Sequence, residues 1–200
     1  MDTLETIPKA CLYDTAAISK HELVFFRNGL QLHREFVGTH PIIITNTILD
    51  ELRFYEDTEE RYAGYLKQFE KIILIDETTF VKYFYEMYSP KQRSLTKYKG
   101  CAIRSFRTIH PLAEAIHNTH SEQAENRIID LFNTYFSSGK NKGEYSLLWL
   151  SNMLRDVFPR LAITFIGIDR DLFHIVDYEI RILSNDSILQ ALLRRYRNVP

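Results

Sequence analysis

Short apolar runs alternate along the chain with longer segments whose apolar residues recur at helical spacing. The runs that predict strands are ACLY at 10–13, PIIIT at 41–45, KIILI at 71–75, LAITFIGI at 161–168 and YEIRIL at 178–183. Those at 41–45, 71–75 and 161–168 are continuous rather than alternating, which is typical of strands covered on both faces. Because helical patterns separate the strands, the chain is predicted to form an α/β sheet with right-handed crossovers.

The helix after the second strand has the clearest pattern. Its apolar stripe consists of Ile48, Leu52, Tyr55, Tyr62, Leu66 and Phe69. This spacing predicts one helix, capped at its start by Thr45, Asn46 or Thr47. Two further helices are predicted, one beginning at GEYSLLWLSNMLRDVF (143–158) and one at about 185–197.

The interval between the third and fourth predicted strands departs from simple alternation. SPKQRSLTKYKG at 89–100 is polar and is interpreted as turn-like, whereas HPLAEAIHNTH and SEQAENRIIDLFNTYF predict two helices. We interpret about 89–142 as a helical insertion within a single domain spanning 1–200.

Composition narrows the class of protein. The 200 residues are 45% hydrophobic and 26% charged, as in soluble globular domains. A net charge of -1 gives no global nucleic-acid signature, although a local basic patch stays compatible with it. Two cysteines favour a reducing compartment, and neither a signal core nor a membrane-length apolar run is present. A cytoplasmic location without membrane association is therefore expected.

Acidic residues fall at positions where a parallel sheet would gather them. Asp14 follows the first predicted strand and Asp169 follows the fourth. Ligands of open parallel sheets bind beyond the carboxyl ends of the strands, so these carboxylates meet if the two strands are neighbours. Glu51 borders the apolar stripe of the first long helix, and Glu144 begins the helix that precedes the fourth strand.

Each acid also has an ordinary interpretation. Asp14 and Asp169 fit turns or caps, Glu51 fits a solvated helix position, and Glu144 fits a first turn favoured by the helix dipole. If the four converge, their repulsion requires a counter-ion, and Mg²⁺ or Mn²⁺ suits oxygen ligands. Two such ions can support phosphodiester hydrolysis. No cysteine–histidine spacing indicates zinc, and no phosphate-binding glycine loop is present.

Four segments in order resemble the PIN-domain nucleases: LYDTAAI, TNTILDELRF, GKNKGEYSLLWLS and FIGIDRDLF. The resemblance implies a three-layer α/β/α fold with a parallel sheet of order 3-2-1-4-5, and metal-dependent cleavage of RNA, less often of DNA. Position by position, it implies catalytic roles for Asp14, Glu51, Glu144 and Asp169. Metal ligation falls to Asp14, Glu144 and Asp169, while Asp171 is either an auxiliary ligand or a helix cap.

A stretch without acids lies between Glu86 and Glu114. Its cations are Lys91, Arg93, Lys97, Lys99, Arg104 and Arg107, with Tyr98 and Phe106 interleaved. The stretch is either a phosphate-binding arm with stacking aromatic rings or a solvated loop. Lys140 and Lys142, just before Glu144, either steer a phosphate backbone or keep the loop soluble.

The leading hypothesis is a Mg²⁺- or Mn²⁺-dependent endoribonuclease, as a toxin or a phage-defence effector. Its expected partners are the RNA substrate, an antitoxin or defence-system protein and, from the resemblance, a second copy in a homodimer. The alternatives are a catalytically inactive PIN-like scaffold that binds RNA or protein, and a structure-specific DNA nuclease.

Overall fold

The computed structural model describes residues 2–28, 41–54, 59–67, 69, 71–120, 124–167 and 181–184. The chain divides into two compact units. The sheet unit comprises Ile7–Ile75 and Ala162–Pro200, and the helical unit comprises Met1–Thr6 and Asp76–Leu161. That the whole chain forms one domain stays a prediction.

The described residues of the sheet unit form five parallel strands. They are β1 (Lys9–Tyr13), β2 (Ile42–Thr45), β3 (Ile72–Ile75), β4 (Ala162–Gly167) and β5 (Arg181–Ser184), in the order β3-β2-β1-β4-β5. Helix α1 (Asp2–Thr6) precedes β1, and the same described residues of the sheet unit form the helices α2 (Thr15–Asn28), α3 (Asn46–Glu51) and α4 (Glu59–Leu66). The predicted α/β class with a parallel sheet is confirmed.

The centre of the sheet is formed by β1 and β4, which pair with Leu12 opposite Phe165. Both side chains are fully buried, and so is all of β2. The expectation that β3 is covered on both faces was wrong, because Leu74 is 64% exposed. Among the strands that the structure describes, β3 lies at the edge of the sheet and pairs with β2.

The prediction of one helix from 48 to 69 was also wrong, because α3 and α4 are separate. Thr45 caps α3 as expected, since its hydroxyl accepts the N–H of Ile48 at 3.3 Å. The helix ends at Glu51, with Leu52 as its C-cap, and the next residue, Arg53, has a left-handed φ of 51°. The N–H of Arg53 donates to Asp50 O and that of Phe54 to Leu49 O, which is the Schellman pattern. Glycine usually takes this left-handed position, so an arginine there gave no stop signal.

The helical unit contains five helices after Asp76 in its described residues. They are α5 (Glu77–Met87), α6 (Lys91–Ser105), α7 (His110–His117), α8 (Ala124–Tyr135) and α9 (Lys142–Val157). Both helices predicted within 89–142 and the helix predicted from Gly143 are present. The turn-like interpretation of 89–100 was wrong, because α6 is helical throughout. Its buried stripe mixes polar and apolar residues: Ser94, Tyr98, Cys101, Ala102 and Ser105.

Aromatic rings form the core of the helical unit. Trp149 of α9 lies 5.2 Å from Tyr98, 5.3 Å from Phe106 and 5.5 Å from Phe132, between ring centroids. The high tyrosine and phenylalanine content is thus used here in packing. The helix expected at 185–197 lies outside the described residues. Among the described helices, none has the length and apolar character needed to cross a membrane.

Candidate active site

Asp14 lies directly after β1, at the carboxyl edge of the central strands. Its backbone N–H donates to Ile166 O of β4 at 2.9 Å, so the residue is fixed against the neighbouring strand. Its side chain is only 2% exposed, and Oδ2 accepts the N–H of Ala16 at 3.2 Å. A buried carboxylate needs hydrogen bonds or a cation, and the N-terminal end of α2 favours the negative charge. The sequence therefore places a buried carboxyl group at the carboxyl edge of the central strands.

Glu51, the last residue of α3, is joined to the same edge. The Thr15 hydroxyl donates to Glu51 Oε2 at 2.5 Å. Since Thr15 is the residue after Asp14, this contact ties the second carboxylate to the chain beside the first. Asp50, the preceding residue, is exposed.

Further polar contacts hold the helices around this edge. Ser19, one turn after Thr15 on α2, lies with its Oγ 3.3 Å from Tyr62 Oη. The Tyr13 and Tyr65 hydroxyls lie 2.7 Å apart in the interior. Burial raises the pKa of both phenols, so they stay protonated at neutral pH. Sequence reasoning missed Thr15 as a partner of Glu51, although its place after Asp14 at a helix start was a usable signal.

Glu144 lies in the first turn of α9, within the helical unit, and follows buried Gly143. The preceding Asn141 has a φ of 57°, so the chain enters the helix through a left-handed residue. Asp169 and Asp171 lie outside the described residues; in the sequence, Asp169 stands two positions after Gly167, the end of β4. Within the described part of the chain, no group of three Asp, Glu, His or Cys side chains is arranged to hold a metal ion.

No protein-family model, curated protein or solved structure matches this chain. The likeness of four segments to PIN-domain nucleases therefore stays a prediction. Any activity must be inferred from the carboxylates and from the surface around them.

The residues predicted to contact nucleic acid differ in their exposure and in their hydrogen bonds. Lys99 Nζ donates to two backbone carbonyls, His117 O at 2.9 Å and Thr119 O at 2.7 Å, so it holds the C-terminal end of α7. The exposed residues are Lys91, Arg93, Lys97, Arg104, Arg107 and Lys140, and Lys142 is half-buried at the start of α9. The stacking role expected for Tyr98 and Phe106 was wrong, because both rings are fully buried.

Proposed function

We propose that this protein is a metal-dependent endonuclease that hydrolyses RNA phosphodiester bonds. The observation that carries the proposal is the position of two acidic side chains at one edge of the sheet: buried Asp14 after β1, and Glu51, whose Oε2 accepts the hydroxyl of Thr15, the residue after Asp14. The carboxyl edge of a parallel sheet is where ligands of this fold class bind. A three-layer α/β/α PIN-like arrangement belongs to the same proposal, as does a role as a toxin or phage-defence effector with an antitoxin or defence-system partner.

The donor atoms at this edge fit a hard divalent cation. Asp14 and Glu51 offer only oxygen, which Mg²⁺ and Mn²⁺ prefer, whereas neither cysteine lies among them. Asp14 is almost fully enclosed, so a neighbouring cation would stabilise its charged form. Asp14 would contribute a ligand, and the proposal adds Glu144, Asp169 and Asp171 as the other ligands. When bound, the ion supplies a Lewis acid for the phosphate and for an attacking water.

Asp14 and Glu51 have different tasks in this proposal. Asp14 is rigid, because its backbone is hydrogen-bonded to β4 and its Oδ2 accepts the N–H of Ala16. It would fix the cation. In Glu51, Oε2 accepts from Thr15, which leaves Oε1 to orient a water molecule toward the scissile phosphate. No protein nucleophile is required.

The test is the substitution Asp14→Asn, which keeps the size of the side chain and removes its charge. Structured RNA and single-stranded DNA are incubated side by side with Mg²⁺ or Mn²⁺, with and without a chelator. Metal ligation contributes several kcal/mol to transition-state stabilisation, so the cleavage rate should fall by about 100-fold or more. Asp50→Asn is the matched control, because Asp50 is an exposed acid beside Glu51.

Cleavage that persists after Asp14→Asn, or in the presence of the chelator, would refute the proposal. Tight RNA binding by the unmodified protein without any cleavage under Mn²⁺ would favour a non-catalytic RNA-binding scaffold. Cleavage confined to DNA would favour the structure-specific DNA nuclease. Circular dichroism of each variant separates a lost site from a lost fold.

A further inference from the structure

Three cations lie in line on the exposed face of α6. Arg93, Lys97 and Arg104 are separated by four and seven residues, so they project within about 40° of one another at the helical repeat. Arg93 is exposed, and the side chains of Lys97 and Arg104 are 45% and 52% exposed. We call these three residues the basic stripe.

The basic stripe is held in place by two residues of neighbouring helical segments. The Tyr88 ring lies under two of the cations, with its centroid 5.8 Å from Arg93 Cζ and 5.4 Å from Lys97 Nζ. The Asp156 carboxylate lies 3.6 Å from Lys97 Nζ and 3.3 Å from an Arg104 nitrogen. The Tyr88 hydroxyl donates to Asp156 O at 2.5 Å, which joins the two supports. Long cationic side chains held in this way lose less conformational entropy when they bind a ligand.

A glycine provides space within the line. Gly100 lies on the same face, between Lys97 and Arg104. An Arg104 guanidinium nitrogen lies 3.6 Å from the position that a Cβ of Gly100 would take. The Arg104 side chain therefore extends back along the helix, over Gly100, toward Asp156.

The chemistry of the basic stripe suits a polymeric anion. Of its three positive charges, those of Lys97 and Arg104 pair with Asp156, and the three span about 16 Å along the helix axis at 1.5 Å per residue. Guanidinium groups match phosphate oxygens in geometry as well as in charge. A protein partner would require an interface centre depleted of charge, whereas three of the four residues on this line are cations.

We propose that the basic stripe binds the phosphate backbone of RNA. This inference rests on the proposed function, because it names the surface that receives the substrate. It also divides the eight predicted nucleic-acid contacts: the three stripe residues bind the backbone, and Lys99 is structural.

The experiment measures binding separately from cleavage. The probe is a fluorescein-labelled single-stranded RNA oligonucleotide, followed by anisotropy over a salt series with Asp14→Asn protein. Replacing Arg93, Lys97 and Arg104 by Gln should lower the slope of log K against log salt by about 2, since each contact to a single strand contributes about 0.7. The charge-matched control replaces Lys82, Arg127 and Arg160, exposed cations of the same unit outside α6, by Gln. It should leave the slope nearly unchanged.

Equal weakening by both triple variants would overturn the inference, because bulk charge alone would then explain binding. Tighter binding of a poly-glutamate peptide than of the RNA would overturn it in favour of an acidic protein partner. The two proposals fail separately. RNA cleavage by the stripe variant with unchanged KM would refute the surface and leave the nuclease intact. Stripe-dependent binding without metal-dependent cleavage would refute the nuclease and leave the surface intact.

Discussion

Lys99 differs from the exposed cations of α6 because backbone carbonyls hold its ammonium group. Its ammonium group donates to His117 O at 2.9 Å and Thr119 O at 2.7 Å, at the C-terminal end of α7. A hydrogen bond with a charged donor contributes about 1.5–3 kcal/mol, and a cation at a helix C-terminus adds to it. Because Lys99 is only half-buried, solvent screens both contributions. We therefore expect Lys99→Met to lower the free energy of unfolding by about 2 kcal/mol.

Urea denaturation followed by far-UV circular dichroism measures this change through linear extrapolation. For a chain of 200 residues, the corresponding drop in Tm is about 4–8 °C. Methionine retains the length and apolar stem of the side chain, so the substitution isolates the ammonium group. The matched control is Lys97→Met on the same helix, whose exposed ion pair with Asp156 contributes about 0–1 kcal/mol.

The effects of the two substitutions on RNA affinity should be the reverse of their effects on stability. Lys97→Met should weaken binding in the anisotropy assay, whereas Lys99→Met should leave it unchanged below the unfolding temperature. A loss of stability under about 0.5 kcal/mol for Lys99→Met, within the range of ordinary surface changes, would refute the capping role. So would a larger loss of RNA affinity for Lys99→Met than for Lys97→Met.

Two further predictions concern α6 and the thiols. Gly100→Ala should raise the free energy of unfolding by about 1 kcal/mol in urea, since a Cβ there meets nothing closer than 3.6 Å; a destabilised variant would contradict this. Burial raises the pKa of Cys11 to about 11 and that of Cys101 to about 12, so at pH 9 both native thiols should react with a disulfide reagent at least about 50-fold more slowly than after unfolding. Because both pKa values are raised, their contribution to stability is complete below pH 9 and declines above it; equal reactivity of native and unfolded protein would refute the burial argument.

The strands β2, β3 and β4 were predictable because each lies within a short continuous apolar run of the sequence. The continuous runs at 41–45, 71–75 and 161–168 contain β2, β3 and β4, with ends shifted by one residue or so. The positions of Asp14 and Asp169 relative to β1 and β4 were predicted from the same apolar runs, since a strand is predicted to end where the apolar residues stop.

Helix ends and mixed-polarity helices were not predictable in this way. The break between α3 and α4 depends on a left-handed arginine, whose backbone conformation is fixed by hydrogen bonds rather than by residue type. The helix α6 buries Ser94 and Ser105 along with Tyr98, so the spacing of apolar residues alone does not predict its buried face. Ser94 Oγ donates to Tyr85 O of α5, and Ser105 Oγ accepts from Asn152 Nδ2 of α9; only the packed structure supplies these two partners.

The sequence by itself determined the α/β class, the strand positions and the acids that follow β1 and β4. These properties depend on residues close together in the chain, so the spacing of hydrophobic residues is enough to predict them. The tertiary structure alone decided that Thr15 binds Glu51 across 36 positions, and that Lys99 caps α7 while Arg93, Lys97 and Arg104 stay exposed. The cations of α6 carry the same charge but have different contacts. Their partners lie outside α6, and packing rather than neighbouring sequence decides which partner each cation meets.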